Sequence, residues 1–448
     1  MTAVRFGTDG IRGIAGETLT PDIAAALGSA LMEQHPRGLV LLGRDTRPSG
    51  AALSDALAAA IEAGGGTAVD IGVIPTPGLA LLVAEEASAA CGVVVTASHN
   101  PVRYNGLKVL GRDGRKIPDH EERELEALME RRIAAGVRVG SPAPADPATA
   151  RRLRERYAGV LATLARDANG AGLRVVVDAA FGAATPFAVD ALAATGATVI
   201  PFATGDGVIN DGVGATDPGA LGLQVRAARA DLGFALDGDA DRCVLVDEHG
   251  AAVDGDVLIA LIALDRRARG TAGSDRVVAT ILTNSGVERH LAAHGIALER
   301  TAVGDRHVAE RLGGRTGGFG GEKSGHLLFT DLSPTGDGLI SAITVLGLVA
   351  RSRRTVGELV REVPLDPQLQ ATVSVPFAEG PRLMSEPAFQ SAIDAAESTL
   401  AQTGGRVVVR LSGTEPLLRI MAEGPDRAAV AAAVDRLIGV AASLVGER

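Results

Sequence analysis

Three aspartates alternate within five residues of the sequence, at Asp237, Asp239 and Asp241. Carboxylates this close repel one another and tolerate ionisation best around a hard divalent cation, and Mg²⁺ prefers such oxygen ligands. An EF-hand loop is excluded because Arg242 occupies the position where the sharp turn needs glycine. The pattern predicts a magnesium site, and an acidic loop in solvent is the alternative that the spacing alone leaves open.

Ser98 follows a predicted strand and is itself followed by His99 and Asn100. No Gly-x-Ser-x-Gly elbow surrounds Ser98, and we expect adjacent serine and histidine residues not to supply the geometry of a hydrolase base. A serine that carries phosphate fits better if a metal site and cationic groups lie nearby. Lys108, ten residues further on, is a candidate proton donor or acceptor if neighbouring cations lower its pKa. A surface lysine is the alternative.

Two further segments carry groups suited to a phosphorylated sugar. One is an arginine-flanked turn whose hydroxyls, amides and guanidinium groups suit a phosphate dianion; it contains Arg410, Ser412, Gly413, Thr414 and Arg419. A hairpin turn with solvated arginines is the alternative. The other is a glycine-rich loop whose side chains suit sugar hydroxyls or proton transfer, at Glu322, Ser324 and His326. No Walker A sequence is present, so nothing supports the use of ATP.

The elements that position these groups repeat in three rounds of strand, loop and helix. Predicted strands occupy residues 38–42, 67–71 and 91–95, then 173–177, 198–200 and 232–236, then 276–280, 297–300 and 318–320. Their apolar runs do not alternate, which predicts parallel strands buried on both faces. The third strand of each round ends in the loop of Ser98, of the aspartates or of Glu322. Ligands collect at the carboxyl ends of parallel strands, so we expect the loops to converge on one site.

The last 80 or so residues differ, with alternating strands at 370–375, 406–411 and 418–422 and helices at 387–402 and 426–444. The fold class is therefore α/β, with three topologically related α/β domains of mixed, mostly parallel sheets, a smaller C-terminal α+β domain and a central cleft. The predicted domains are 1–155, 156–253, 254–366 and 367–448. The proline- and alanine-rich stretch 141–150 is predicted to be a linker or a surface loop.

Composition limits the class of protein. The 448 residues are 46% hydrophobic and 22% charged, which indicates a globular chain. The net charge of −10 argues against a nucleic-acid partner. Two cysteines, Cys91 and Cys243, exclude a disulfide framework and a four-cysteine zinc site, and both are predicted to be buried thiols. No signal-peptide pattern and no long uncharged apolar run is present, so we expect a cytoplasmic protein without a membrane partner.

Seven segments together resemble the α-D-phosphohexomutase superfamily. They follow that family's order across nearly the whole chain, at residues 6–13, 43–47, 96–101, 105–108, 237–242, 320–326 and 410–416. The resemblance implies four domains around a cleft and a phosphoryl shuttle. Ser98 would be a phosphoserine, and Mg²⁺ would bind the three aspartates and an oxygen of the Ser98 phosphate. The phosphoryl group would pass to a sugar monophosphate, giving a bound 1,6-bisphosphate that returns its other phosphate to Ser98.

The resemblance also implies roles for single residues. Arg12 and Lys108 match groups beside the phosphoserine, and Lys108 and His326 match acid/base candidates. Arg242 matches a phosphoryl contact, and Glu322 and Ser324 match readers of sugar hydroxyls. The phosphate clamp of the last domain matches Arg410, Ser412, Gly413, Thr414 and Arg419.

Finer detail resembles the glucosamine branch of the superfamily, in the segments 412–416 and 303–306. This branch interconverts glucosamine 6-phosphate and glucosamine 1-phosphate for the synthesis of UDP-N-acetylglucosamine. The same chemistry on mannose or glucose phosphates is the alternative, and a non-catalytic phosphosugar-binding protein is the alternative of a different class. Tyr104 and the pair Val109-Leu110 depart from the family pattern near Ser98. The resemblance further implies a homodimer and a kinase or autophosphorylation at Ser98.

Overall fold

A computed structural model describes residues 5–7, 9–136, 140, 146–412 and 415–446 of the chain. The first unit is a six-stranded sheet with strands β1 (Phe6–Gly7), β2 (Gly10–Ile14), β3 (Leu39–Arg44), β4 (Thr67–Val73), β5 (Ala89–Val95) and β6 (Tyr104–Leu110). Its helices are α1 (Pro21–Gln34), α2 (Gly50–Ala63), α3 (Thr76–Glu85) and α4 (Asp119–Ala134), and α5 (Pro147–Arg166) leads to the second unit.

The second and third units are four-stranded sheets. The second contains β7 (Arg174–Asp178), α6 (Ala188–Ala193), β8 (Thr198–Phe202), α7 (Gly219–Ala228), β9 (Leu232–Leu236) and β10 (Cys243–Val246). The third contains α8 (Gly255–Ala268), β11 (Arg276–Thr280), α9 (Ser285–Ala293), β12 (Ala297–Thr301), α10 (Asp305–Leu312), β13 (Phe319–Gly321), β14 (Leu327–Phe329), α11 (Gly338–Ser352) and α12 (Val356–Val360).

The first three sheets share one strand order. In each, two parallel strands flank a central one (β4 and β5 around β3, β8 and β9 around β7, β12 and β13 around β11). A fourth strand then pairs antiparallel to the third, as β6, β10 and β14 do. The loops of Ser98, the aspartates and Glu322 therefore occupy the same place, between the third strand and the fourth.

The fourth unit is a three-stranded antiparallel sheet with the order β15, β17, β16. Its elements are β15 (Gln368–Ser374), α13 (Gly380–Ser385), α14 (Pro387–Ala401), β16 (Arg406–Leu411), β17 (Leu417–Glu423) and α15 (Arg427–Gly446). Within the described part of the chain, α15 is long and apolar enough to cross a membrane by length and composition. Its buried Val430, Leu437 and Ala441 pack into the core of this unit, as in a helix of a globular domain.

The fold-class prediction is confirmed, since the sheets, their mixed strand directions and the smaller last unit are those expected from the sequence. One apolar cluster runs through the first three units, from Leu41 through Tyr157 and Phe234 to Leu346. The fourth unit has a separate cluster around Phe389 and Leu418. Both cysteines are buried free thiols, as expected. Of the predicted linker, residues 141–145 lie outside the described residues, and α5 begins soon after them.

Candidate active site

The three equivalent loops meet at the carboxyl ends of their sheets. Ser98 Oγ, in the first unit, donates a hydrogen bond to Asp237 Oδ2 of the second unit at 2.8 Å. His326, in the third unit, places Nδ1 3.7 Å from Asp241 Oδ1. Ser98, the three aspartates and His326 are all buried. The convergence predicted from the loop positions is therefore present in the fold.

The Ser98 loop is tied down by a buried arginine to which sequence reasoning assigned no role. Ser98 has a φ of 51°, a left-handed conformation that is costly for a residue with a side chain. The Arg47 guanidinium pairs with Asp45 at 2.9 Å. It also donates to four carbonyl oxygens of the loop, at Ser98, Asn100, Pro101 and Tyr104. These contacts hold the backbone that presents the Ser98 hydroxyl.

The second unit approaches the same loop closely. Asn210 donates to the carbonyl of Ser98 at 2.8 Å. A Cβ added at Gly238 would lie 2.4 Å from that same oxygen, so only glycine allows the metal-site loop to come this near. Gly238 lies between two aspartates in the sequence, but the need for glycine at this position comes from the contact between the two units.

His99 contacts the side chain of Ser98. Its Nδ1 lies 3.2 Å from Ser98 Oγ. The left-handed backbone at Ser98 turns the two side chains together. Burial, with the charges of Arg242 and Arg12 adding to it, lowers the pKa of His99 to about 4, which leaves the imidazole neutral at neutral pH.

The aspartate loop is built to hold a cation. Oxygens of Asp237, Asp239 and Asp241 lie within 4.8 Å of one another, and all three residues are buried. Asp239 Oδ1 and Asp241 Oδ1 are buried without a hydrogen-bond partner. Buried carboxylate oxygens left unpaired are costly, and a divalent cation would satisfy them. The three aspartates can therefore hold a metal ion.

The pKa values of the loop carboxyl groups are shifted by their neighbours. Burial and the charges of Asp241 and Asp239 raise the pKa of Asp237 well above its usual value. Burial opposes ionisation of Asp241 as well, but Lys108 and His326 outweigh it and hold the pKa of Asp241 well below its usual range. The two largest of the charges that favour ionised Asp241 therefore come from the first and third units.

Lys108 lies on β6 and is fully buried. Its Nζ lies 2.8 Å from Asp9 Oδ2, 2.8 Å from Asp239 Oδ2 and 3.6 Å from Asp241 Oδ2. Burial favours a neutral amine, but the three carboxylates outweigh it and raise the pKa of Lys108 well above its usual value. The condition that neighbouring cations lower this pKa is not met, because carboxylates surround the ammonium group.

Arg12, Arg242 and His326 surround the same centre. Arg12 Nη2 lies 2.5 Å from Asp9 Oδ2, and Arg242 Nε lies 3.8 Å from Asp241 Oδ1. Burial lowers the pKa of His326, but Asp241 and further carboxylates outweigh it and raise the pKa to about 9. The site is thus a buried set of alternating charges.

The Glu322 loop borders this centre. Glu322 Oε1 accepts a hydrogen bond from the Gly304 amide at 2.9 Å, and the Glu322 amide donates to the His326 carbonyl at 2.9 Å. Ser324 is exposed at the tip of the loop. The loop therefore brings together His326, which is buried among charges, and two polar groups nearer the solvent.

The arginines of the fourth unit stand apart from this cluster. Arg410 and Arg419 are paired across β16 and β17 and line a cavity of about 180 Å³. Burial and the charge of Arg419 lower the pKa of Arg410, while Glu322 acts in the opposite direction. Ser412 is buried beside them, and the predicted Gly413 and Thr414 lie outside the described residues. Two like charges facing one cavity are relieved when an anion binds between them.

The chain matches four domain families in order. They are described as phosphoglucomutase/phosphomannomutase alpha/beta/alpha domain I over residues 3–135, domain II over 155–250, domain III over 254–365, and the C-terminal domain over 373–440.

Curated relatives match along nearly the full length. The phosphoglucosamine mutase of Xanthobacter autotrophicus is 43% identical over 445 residues, which cover 97% of this chain and 98% of the relative. The phosphoglucosamine mutase of Symbiobacterium thermophilum is 45% identical over 432 residues, with 94% and 95% covered.

Solved structures share the fold. A phosphoglucomutase/phosphomannomutase family protein from Burkholderia thailandensis matches with a TM-score of 0.77 at 23% identity, covering 97% of each chain. The N-acetylphosphoglucosamine mutase of Aspergillus fumigatus, in complex with GlcNAc-6P and magnesium, matches with a TM-score of 0.66 at 20% identity, covering 99% of this chain and 95% of that one.

Proposed function

Since the chain belongs to the phosphoglucomutase/phosphomannomutase family and is a phosphohexomutase of the isomerase class, we propose that it interconverts glucosamine 6-phosphate and glucosamine 1-phosphate. The reaction proceeds through a phosphoserine enzyme and a bound 1,6-bisphosphate, and serves UDP-N-acetylglucosamine synthesis. Support for glucosamine as the sugar comes from relatives named phosphoglucosamine mutase that are at least 43% identical over nearly the full chain.

The observation that carries the mechanism is the contact between Ser98 Oγ and Asp237 Oδ2 at 2.8 Å, inside a buried group of three carboxylates. Asp237, Asp239, Asp241 and an oxygen of the Ser98 phosphate would hold Mg²⁺. When bound, Mg²⁺ supplies positive charge to the oxygens of the transferring phosphoryl group. The A. fumigatus neighbour contains magnesium, which supports this choice of ion.

The protein's own residues then govern the exchange of a phosphoryl group and a proton. The bond between phosphorus and Ser98 Oγ breaks as a bond forms from phosphorus to a sugar oxygen. The sugar hydroxyl gives up its proton and the released Ser98 Oγ takes one up, so the number of protons is unchanged. Lys108 and His326 hold protons in this geometry, so they act as donors to the departing oxygen and as fixed positive charges. Arg12 and Arg242 add charge from two further sides of the site.

Recognition of the sugar phosphate is divided between two places. Glu322 and Ser324 contact sugar hydroxyls, and Arg410, Ser412, Gly413, Thr414 and Arg419 hold the phosphate that is not reacting. Because the bisphosphate must present each of its phosphates to Ser98 in turn, this clamp accepts the substrate in two orientations. A pure binding protein has no need of a buried serine beside a cation site, which argues against the non-catalytic alternative.

Comparative kinetics test the proposal. Purified protein with Mg²⁺ and a catalytic amount of sugar 1,6-bisphosphate is assayed on the 6-phosphates of glucosamine, mannose and glucose. The highest kcat/KM is expected for glucosamine 6-phosphate. A higher value for mannose or glucose phosphate would assign the same mechanism to another sugar, and binding without turnover on any of them would contradict the proposal.

Other sequence predictions remain proposals of the same kind. The domain boundaries after residues 155, 253 and 366, a homodimer, a cytoplasmic location and phosphorylation of Ser98 by a kinase or by the enzyme itself belong with the proposed function. The sugar 1,6-bisphosphate serves as both primer and intermediate.

A further inference from the structure

Lys116 bridges two carboxylates that belong to different units of the protein. Its Nζ lies 2.5 Å from Asp9 Oδ1 in the first unit. It also lies 3.0 Å and 2.8 Å from the two carboxylate oxygens of Asp305 in the third unit. The side chains of Lys116 and Asp305 are only 15% and 18% exposed.

Each of the two carboxylates serves an acid/base candidate. The other oxygen of Asp9 contacts Lys108 Nζ at 2.8 Å. Asp305 Oδ2 lies 3.7 Å from Nε2 of His326, which is buried and has no hydrogen-bond partner. Since Asp241 lies near both Lys108 and His326, these contacts close a ring of alternating charges, and Lys116 is the member farthest from the aspartate loop in this ring.

Asp305 also sits where the sugar-reading loop is anchored. It is the first residue of α10, directly after Gly304, whose φ of 127° requires glycine. The Gly304 amide donates to Glu322 Oε1 at 2.9 Å. The turn that holds Glu322 therefore also carries the carboxylate that faces His326, and Lys116 fixes this turn to the first unit.

We propose that Lys116 and Asp305 are positioning residues that set the distance and orientation of Lys108 and His326 relative to the Ser98 phosphoryl group. The inference rests on the proposed function, because it assigns these residues to the same phosphoryl transfer. Removing either partner takes one opposite charge away from the largely buried groups that contact Lys108 and His326. The consequence is a slower transfer rather than weaker binding of the sugar phosphate.

A second ion pair between the same two units supplies a matched control. Arg306, the residue after Asp305, contacts Glu122 Oε1 at 2.8 Å and the Ile117 carbonyl at 3.2 Å. This pair links the first unit to the third without an ion pair to Asp9 or His326, although, besides burial, the charges of Lys116 and Asp9 act on the pKa of Glu122 from a longer distance. If Lys116 and Asp305 serve only to join the units, Glu122→Gln will have the same effect as Asp305→Asn.

The test is the rate at which glucose 1,6-bisphosphate phosphorylates Ser98 in the full chain with Mg²⁺, followed by intact mass, together with steady-state kcat and KM. Lys116→Met and Asp305→Asn are expected to slow the transfer and lower kcat about 10- to 100-fold, the usual loss when an orienting partner is removed. We expect KM to change less than about threefold. The transfer rate and kcat of Glu122→Gln should stay within about twofold of the wild-type values. Asp305→Glu keeps the charge, so its loss of rate, on a logarithmic scale, should be at most half the loss in Asp305→Asn.

Substitutions on both sides of the ion pair keep the test usable if thermal unfolding shows that one variant does not fold. Asp305→Asn at the wild-type rate, or Glu122→Gln as slow as Asp305→Asn, would overturn the inference and leave the proposed function intact. A wild-type enzyme that takes no phosphate from the bisphosphate would contradict the proposed function and this inference with it.

Discussion

The two ends of the site are built differently. Around Ser98, buried charges pair between units, as Lys108 of the first unit does with Asp239 and Asp241 of the second. In the fourth unit, Arg419 is 40% exposed and pairs with the neighbouring Glu415, and Arg410 faces an open cavity. The end around Ser98 is closely packed, and the end around Arg410 and Arg419 borders an open cavity.

The attachment of the fourth unit fits this division. It meets the third unit through polar contacts around Glu423, which is fully buried and accepts hydrogen bonds from Ser285, Gln368 and Arg406. The first three units instead share a continuous apolar core. Domains joined by polar interfaces commonly move relative to one another. A bisphosphate that must turn over needs a clamp that moves and a reaction centre that does not.

The largest effect is expected at the closely packed end, from Asp239→Asn. This substitution removes a charge that faces Lys108 and the proposed Mg²⁺. A catalytic metal stabilises the transition state by several kcal/mol, so we expect turnover to fall about 10³-fold. Mg²⁺ should raise the melting temperature of the wild type but not of the variant. The measurements are kcat/KM and thermal unfolding over a Mg²⁺ titration.

Asp211→Asn, at an exposed acid of the same unit, is the control and should titrate like the wild type. Chelation of divalent ions should abolish wild-type turnover, and added Mg²⁺ should restore it. An Asp239→Asn variant that responds to Mg²⁺ as the wild type does would contradict the assignment of the Mg²⁺ site to this loop.

A smaller effect of a different kind is expected at the open end. Arg410→Ala removes one guanidinium from the proposed phosphate clamp. We expect KM to rise about 10- to 100-fold, which corresponds to the loss of one charge-assisted hydrogen bond, and kcat to change only a few-fold. Arg427→Ala, exposed on the same unit, should leave both constants unchanged. A fall in kcat with an unchanged KM would show that Arg410 acts in the chemical step. It would contradict the proposal that this end of the site serves binding alone.

The smallest effect concerns stability. Burial raises the pKa of Asp337 to about 6, although the Ile340 amide, the Tyr157 hydroxyl and the Leu339 amide all donate to its carboxylate. Because the folded-state pKa lies above that of the unfolded chain, the contribution of this group is fully present below about pH 4 and is lost as the pH rises through about 6.

Asp337→Asn stays neutral at every pH and keeps an oxygen for the helix cap. The unfolding free energy of the wild type relative to this variant should therefore fall by roughly 2 kcal/mol between pH 4 and pH 7. Denaturant unfolding at several pH values measures this difference. A difference that stays constant with pH would show that burial does not raise the pKa of Asp337.

The sequence predicted the parts of the site that follow local rules. Ser98, the three aspartates and His326 could be placed together because each follows the third strand of a repeated unit, and that repeat is visible as apolar runs between helices. The family and the fold class followed from the same segments and are confirmed.

The parts that the sequence did not reveal depend on contacts between distant residues. Lys108 and Asp239 are separated by 131 positions, so the anions that raise the lysine pKa could not be read from its neighbours. Lys116 and Asp305 are 189 positions apart, and neither has a local pattern that indicates a pair. Arg47 is visible as part of a motif, but its bonds to the Ser98 loop depend on how β3 and β5 lie side by side.

Phosphopeptide mapping during turnover tests the central claim most directly. Protein mixed with glucosamine 6-phosphate, Mg²⁺ and a trace of bisphosphate is quenched at intervals, digested and mapped, with Ser98→Ala treated in parallel. The account predicts phosphate on the peptide that contains Ser98 and loss of turnover by at least about 10⁴-fold in Ser98→Ala. Turnover in Ser98→Ala, or turnover with phosphate on a different residue, would contradict it.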